Sequence, residues 1–81
     1  VFADADLNVA VQGLMAAKFR NVGQSCICAD RVFVEESIYK QFTEMLVKEV
    51  KQLTVGDGFE KGVMLGPLIN QAAIHKIEEH I

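Results

Sequence analysis

Eighty-one residues with 51% hydrophobic and 23% charged side chains make a chain that builds a core rather than a disordered tail. A chain this short buries only about 60–65% of the surface its unfolded form exposes, so a solitary core is marginal. The net charge of −3 and the lack of a basic block weigh against nucleic acid as a partner.

The first helix is expected over residues 6–19. Leu7, Ala10, Val11, Leu14, Ala17 and Lys18 recur at helical spacing, and Asp4 and Asp6 stand where a cap and a first-turn acid belong. No charge interrupts residues 7–17, so this helix wants burial on most sides. Residues 21–25, Asn-Val-Gly-Gln-Ser, break the pattern with turn formers. Residues 26–35 end in a β-branched and aromatic run and are expected to form a strand. Two acids and Ser37 then precede a helix over residues 38–53, striped by Ile38, Phe42, Met45, Leu46, Val50 and Leu53. Lys40, Glu44, Lys48 and Lys51 lie opposite, with Glu44 and Lys48 in the favourable i,i+4 order. Residues 54–66 hold four of the six glycines and read as a long exposed loop whose exit Pro67 stiffens. Asn70 caps a last helix striped by Ala73, Ile74, Ile77 and Ile81. Helix, strand, helix, loop, helix is a slice of an α/β domain whose sheet needs partner strands.

The longest apolar run, residues 63–69, is interrupted by Gly66 and Pro67 and is too short to cross a bilayer, so no membrane is expected. Two cysteines one residue apart cannot staple distant parts of a secreted fold, which favours a reducing compartment: the cytoplasm, or the mitochondrial matrix in a eukaryote. The first residue is not Met, no signal-peptide order follows it, and the last residues continue a helical pattern. A piece of something larger is therefore expected.

Chemistry concentrates at residues 18–28, Lys-Phe-Arg-Asn-Val-Gly-Gln-Ser-Cys-Ile-Cys. A cysteine placed after a glycine-containing loop at a helix end can be partly exposed, with backbone N–H groups aimed at a reacting atom, and Lys18 and Arg20 nearby supply positive charge. The competing reading makes Cys26 and Cys28 small buried hydrophobes, which is the commoner fate of a free cysteine. A zinc site built on Cys-x-Cys would need His75 and His80, which at i,i+5 lie about 140° apart on a helix and do not share an ion readily, so no metal is expected. His75 reads instead as a surface partner of Glu79. Gly56-Asp57-Gly58 lacks the third glycine of a dinucleotide fingerprint and any Walker lysine–hydroxyl pair.

Phe19-x-Asn21-x-Gly23-Gln24-x-Cys26 resembles the catalytic-cysteine motif of the aldehyde dehydrogenase superfamily. The resemblance extends through residues 2–7, Arg31-Val32-Phe33-Val34, residues 55–58 and Gly66-Pro67-Leu68-Ile69. Within the superfamily, Phe19-Arg20-Asn21 and Cys26-Ile27-Cys28 are most similar to succinate-semialdehyde dehydrogenases. The resemblance implies that residues 1–81 are part of the nucleophile-bearing catalytic domain, with the cofactor-binding domain absent. It implies Cys26 as the nucleophile, Arg20 as the group binding the substrate's distal carboxylate, and Cys28 as a redox partner of Cys26. A guanidinium suits a carboxylate because its fork makes two parallel hydrogen bonds.

The implied cofactor is NAD or NADP, and the implied partners are a small semialdehyde substrate and further copies of the chain in a dimer or tetramer. The family's general-base glutamate and the asparagine of its oxyanion hole have no counterparts here, so these 81 residues alone are expected to be inactive. Another carboxylated semialdehyde would suit Arg20 equally well. The rival from a different class is a small redox-sensing thiol module built on Cys26 and Cys28, which does not require the Gly-Gln-Ser-Cys loop.

Overall fold

The computed structural model describes residues 1–81, ordered as three α-helices joined by turns: α1 (Leu7–Phe19), α2 (Glu36–Val50) and α3 (Gln71–Glu78). Each helix starts where local chemistry places it. The Asp6 carboxylate accepts from the backbone N–H groups of Asn8 at 2.9 Å and Val9 at 3.1 Å, satisfying two donors that the helix itself leaves free. Asn70 does the same for α3, accepting from Ala73 N–H at 3.0 Å. Glu35 precedes α2 without capping it; its carboxylate accepts instead from the Ala3 N–H at 2.8 Å.

α1 and α2 pack on each other, and Val11 and Phe42 at their contact are the two buried residues of the chain. The stripe expected on the second helix is the one that turns inward: Ile38, Met45, Leu46 and Val50 are half-buried on α2 beside the buried Phe42, and the helix ends at Val50 rather than at residue 53, leaving half-buried Leu53 in the turn beyond it. Gln12 Nε2 adds a polar tie to Glu49 at 3.2 Å across the same interface. Burial of α1 stops there. Val9 is 69% exposed, so the apolar circumference that the sequence assigns to this helix is covered on one side only.

The chain is open for its size. It exposes 6683 Å², whereas a folded monomer of 9.0 kDa exposes about 4,900 Å². Its radius of gyration is 14.3 Å against about 12 Å for a compact domain of this length. Phe2, Ile27, Phe33, Phe59 and Ile69 all stand exposed.

The strand expected over residues 26–35 does not form. Residues 26–28 close a turn, with Cys28 N–H on the Ser25 carbonyl at 3.1 Å, and residues 31–35 make no ladder. Their backbone finds one short partner: Val1 N donates to Phe33 O at 2.6 Å and Glu35 N–H to Val1 O at 3.0 Å. Strand propensity expresses how well a side chain fits a pleated sheet, and without neighbouring strands it has nothing to fit. The loop of residues 54–66 is pinned at its neck. Thr54 O accepts from the N–H groups of Met64 and Leu65 at 3.0 and 2.9 Å, Gly56 N–H reaches Leu65 O at 3.0 Å, and Val55 and Leu65 form an isolated parallel bridge. A Cβ on Gly56 would stand 3.1 Å from Val63 Cγ2, so this crossing admits little else. No helix is long and apolar enough to cross a membrane.

Candidate active site

The segment leaving α1 carries the motif, and its backbone conformation explains the motif's residue types. Asn21 (φ 51°), Val22 (φ 60°) and Gly23 (φ 75°) occupy the left-handed region in succession. Asparagine and glycine tolerate that region; a β-branched valine is an outlier there and costs on the order of 1–3 kcal/mol. Gly23 is required for a second reason, since a Cβ would meet the Lys18 carbonyl at 3.1 Å. Asn21 and Gln24 then brace the turn reciprocally. Gln24 N–H donates to Asn21 O at 3.1 Å, Asn21 Nδ2 to Gln24 O at 3.2 Å, and Gln24 Nε2 to Asn21 O at 3.4 Å.

Beyond this brace, the Ser25–Cys28 turn presents Cys26 and Ile27 outward. Cys26 is a free, exposed thiol with no side-chain partner, and Ile27 is 80% exposed beside it. Arg20, at the C-terminal cap of α1, is also exposed and enters neither of the chain's two ion pairs. The loop thus places a free thiol and an unengaged guanidinium on one short solvent-facing segment.

Cys28 is held differently. Its thiol donates to the Gly23 carbonyl at 3.1 Å and lies 3.9 Å from Lys18 Nζ and 3.7 Å from an Asp30 carboxylate oxygen. Lys18 Nζ pairs with the same oxygen at 3.2 Å. That hydrogen bond, the ammonium's charge and then the Cys28 thiol hold the Asp30 carboxyl below its ordinary value of 3.8. Lys18 is therefore spent on Asp30 and Cys28, and Arg20 is the free cation of the segment.

Two contacts have no simple sequence signal. Gln24 Oε1 accepts from the Ile69 backbone N–H at 3.0 Å, joining the motif to a loop 45 residues away. The Lys18–Cys28–Asp30 cluster likewise depends on the path of the chain after α1, although opposite charges at residues 18 and 30 were there to be paired. His75 contacts Glu78 at 3.5 Å through its Nδ1, one residue short of the Glu79 partner expected from helical spacing.

No residue set here fits the pyrophosphate of a dinucleotide. At the starts of α1 and α3 the N–H groups of Asn8, Val9 and Ala73 are taken by Asp6 and Asn70, and the α2 start carries the carboxylates of Glu35 and Glu36. Gly56 and Gly58 lie in the pinned loop, away from any helix start.

Residues 1–81 match the aldehyde dehydrogenase family. The chain is 52% identical over its whole length to a succinate-semialdehyde dehydrogenase [NADP(+)] of Escherichia coli K12, and 51% identical to a 3-sulfolactaldehyde dehydrogenase of Pseudomonas putida. It spans 17% of each of those proteins. The crystal structure of a succinate-semialdehyde dehydrogenase from Burkholderia pseudomallei superposes with a TM-score of 0.96 at 52% identity, covering 99% of this chain and 17% of that one.

Proposed function

The chain belongs to the aldehyde dehydrogenase family, and we propose that it is the nucleophile-bearing part of the catalytic domain of an NAD(P)+-dependent dehydrogenase acting on a semialdehyde. Succinate semialdehyde is the favoured substrate. The observation that carries this reading is that one braced loop bears both an exposed, unpartnered Cys26 thiol and an exposed, unengaged Arg20.

In this mechanism the Cys26 thiolate adds to the aldehyde carbon, and the oxyanion that develops is met by the Cys26 backbone N–H. Arg20 holds the far carboxylate by two parallel hydrogen bonds, which fixes the aldehyde end over the thiol. The nicotinamide cofactor, NAD or NADP, supplies the hydride acceptor and is bound by residues outside these 81, as is the base that activates water for release of the acid. The chain by itself is accordingly inactive. Cys28 is the redox partner of Cys26: peroxide takes two electrons and two protons from the thiols, giving a disulfide and water, and thiol reductant reverses it. Forming that bond also removes the Cys28 hydrogen bond to Gly23, so the loop loses that contact together with its nucleophile.

Similarity to relatives named for a carboxylate-tailed and a sulfonate-tailed aldehyde supports an anionic tail and leaves its length and acid group open. The test is Arg20→Ala in the full-length enzyme, with succinate semialdehyde compared against butanal. Loss of a desolvated charge pair predicts a fall of about 2–5 kcal/mol in transition-state stabilisation for the semialdehyde and much less for butanal. Equal losses on both would make Arg20 a structural residue.

A further inference from the structure

We propose that Gln24 is a positioning residue: its side-chain amide suspends the Cys26 loop from the backbone N–H of Ile69 and thereby sets where the thiol meets its substrate. The inference rests on the dehydrogenase reading of Cys26.

Every polar group of Gln24 is engaged. Its backbone N–H and side-chain Nε2 both donate to Asn21 O, its carbonyl accepts from Asn21 Nδ2, and its Oε1 accepts from Ile69 N–H. The first three bonds are local and shape the turn itself. The fourth is the single hydrogen bond between residues 20–30 and the segment from Gly66 onward. Packing does not duplicate it. α3 rests on neither α1 nor α2, and a groove of about 890 Å³ separates Phe19 and Gln24 from Leu68, Ala73 and Ile77.

The bond sits where it has leverage. Gln24 directly follows three residues of left-handed backbone, a conformation that persists only when its surroundings over-determine it, and it precedes Cys26 by two residues. Without that bond the loop's one outside partner is Lys18, in the last turn of α1 from which the loop itself springs, so Cys26 is free to swing with respect to the segment from Gly66 onward. The tie to Ile69 fixes that swing. A neutral hydrogen bond of this kind corresponds to a factor of about 2–12 in an equilibrium, which is the scale on which the reactive placement of Cys26 should depend on it.

The experiment uses the full-length enzyme that carries this chain and two variants of one length. Gln24→Met removes both side-chain bonds. Gln24→Glu keeps the acceptor for Ile69 N–H and loses the donor to Asn21. The expected result is that Gln24→Met lowers kcat about five- to tenfold with KM within twofold, and speeds hydrogen exchange at the Ile69 amide. Gln24→Glu restores most of both. Ile69→Pro deletes the donor from the other side and should reproduce the slow kcat of Gln24→Met, which keeps the test decisive if that variant fails to fold. Unchanged Ile69 exchange in Gln24→Met would show that the tie is not made. Faster exchange with unchanged kcat would show that it positions nothing, and a Gln24→Glu enzyme as slow as Gln24→Met would remove the acceptor from the account. Cys26→Ser is run alongside: full turnover there sinks the nucleophile reading, while the exchange measurement still decides the tie.

Discussion

The α1–α2 pair and the loop of residues 20–30 are joined end to end, yet they are held by different forces. Between the helices, Val11 and Phe42 are each 2% exposed, and the rest of the α2 stripe is half-buried. In the loop no residue is buried, and what fixes its shape is a set of directed polar contacts: Asn21 with Gln24, Cys28 with Gly23, Lys18 with Asp30, Gln24 with Ile69. Packing is forgiving of direction and yields a platform. Hydrogen bonds are demanding of direction and can hold one thiol outward in a strained backbone. Segments that open most easily are drawn from the less buried end of a structure, and this loop lies at that end.

That contrast is broken most severely by emptying the helix contact. Phe42→Ala should cost about 3 kcal/mol or more, since the removed ring leaves a cavity at the one place where burial is complete. Helical circular dichroism of the chain against urea measures it, and a cost below about 1 kcal/mol would mean that α1 and α2 do not depend on each other.

The loop should answer to backbone changes of smaller size and opposite sign. Gly23→Ala forces a Cβ to 3.1 Å from the Lys18 carbonyl at φ 75° and should destabilise by about 1–2 kcal/mol. Val22→Gly relieves a β-branched residue at φ 60° and should raise stability by up to about 1 kcal/mol. If the two shift the unfolding midpoint in the same direction, the left-handed run is not the strained element described here.

The smallest effect belongs to Lys18 and Asp30. Asp30 has its folded-state pKa lowered, so its contribution is present above the ordinary value of 3.8 and is lost as pH falls through the lower folded value. The Asp30 side chain is 82% exposed, and solvent and salt screen the pair. Asp30→Asn should therefore move the thermal midpoint little at neutral pH, and the difference should fade as pH falls below the ordinary carboxylate value. A large shift at neutral pH that survives 1 M salt would contradict this.

The features legible in the sequence were those written locally. Asp6 and Asn70 announce the starts of α1 and α3 because a cap is made with N–H groups two or three residues away. The apolar stripe of α2 shows in its spacing because the helix fixes which residues share a face. Residues 31–35 mislead for the complementary reason: a strand is a property of its neighbours, and the Val-Phe-Val run reads as one wherever it is placed. Arg20 and Cys26 were marked by the motif they sit in, but the reason for its other members was not visible. Gly23 is dictated by the Lys18 carbonyl, and Gln24 by an amide 45 residues on. Neither partner is specified until the chain has turned back on itself.

The central claim, that Cys26 forms the covalent intermediate while Cys28 supports the loop, is tested most directly by catching that intermediate. The full-length enzyme is mixed with succinate semialdehyde and its nicotinamide cofactor, quenched in acid within one turnover, digested and weighed by mass spectrometry. A succinyl thioester should appear on Cys26 and decay as the acid is released; it should persist in Cys28→Ser and be absent from Cys26→Ser. A succinyl group on Cys28, or undiminished turnover by Cys26→Ser, would contradict the account.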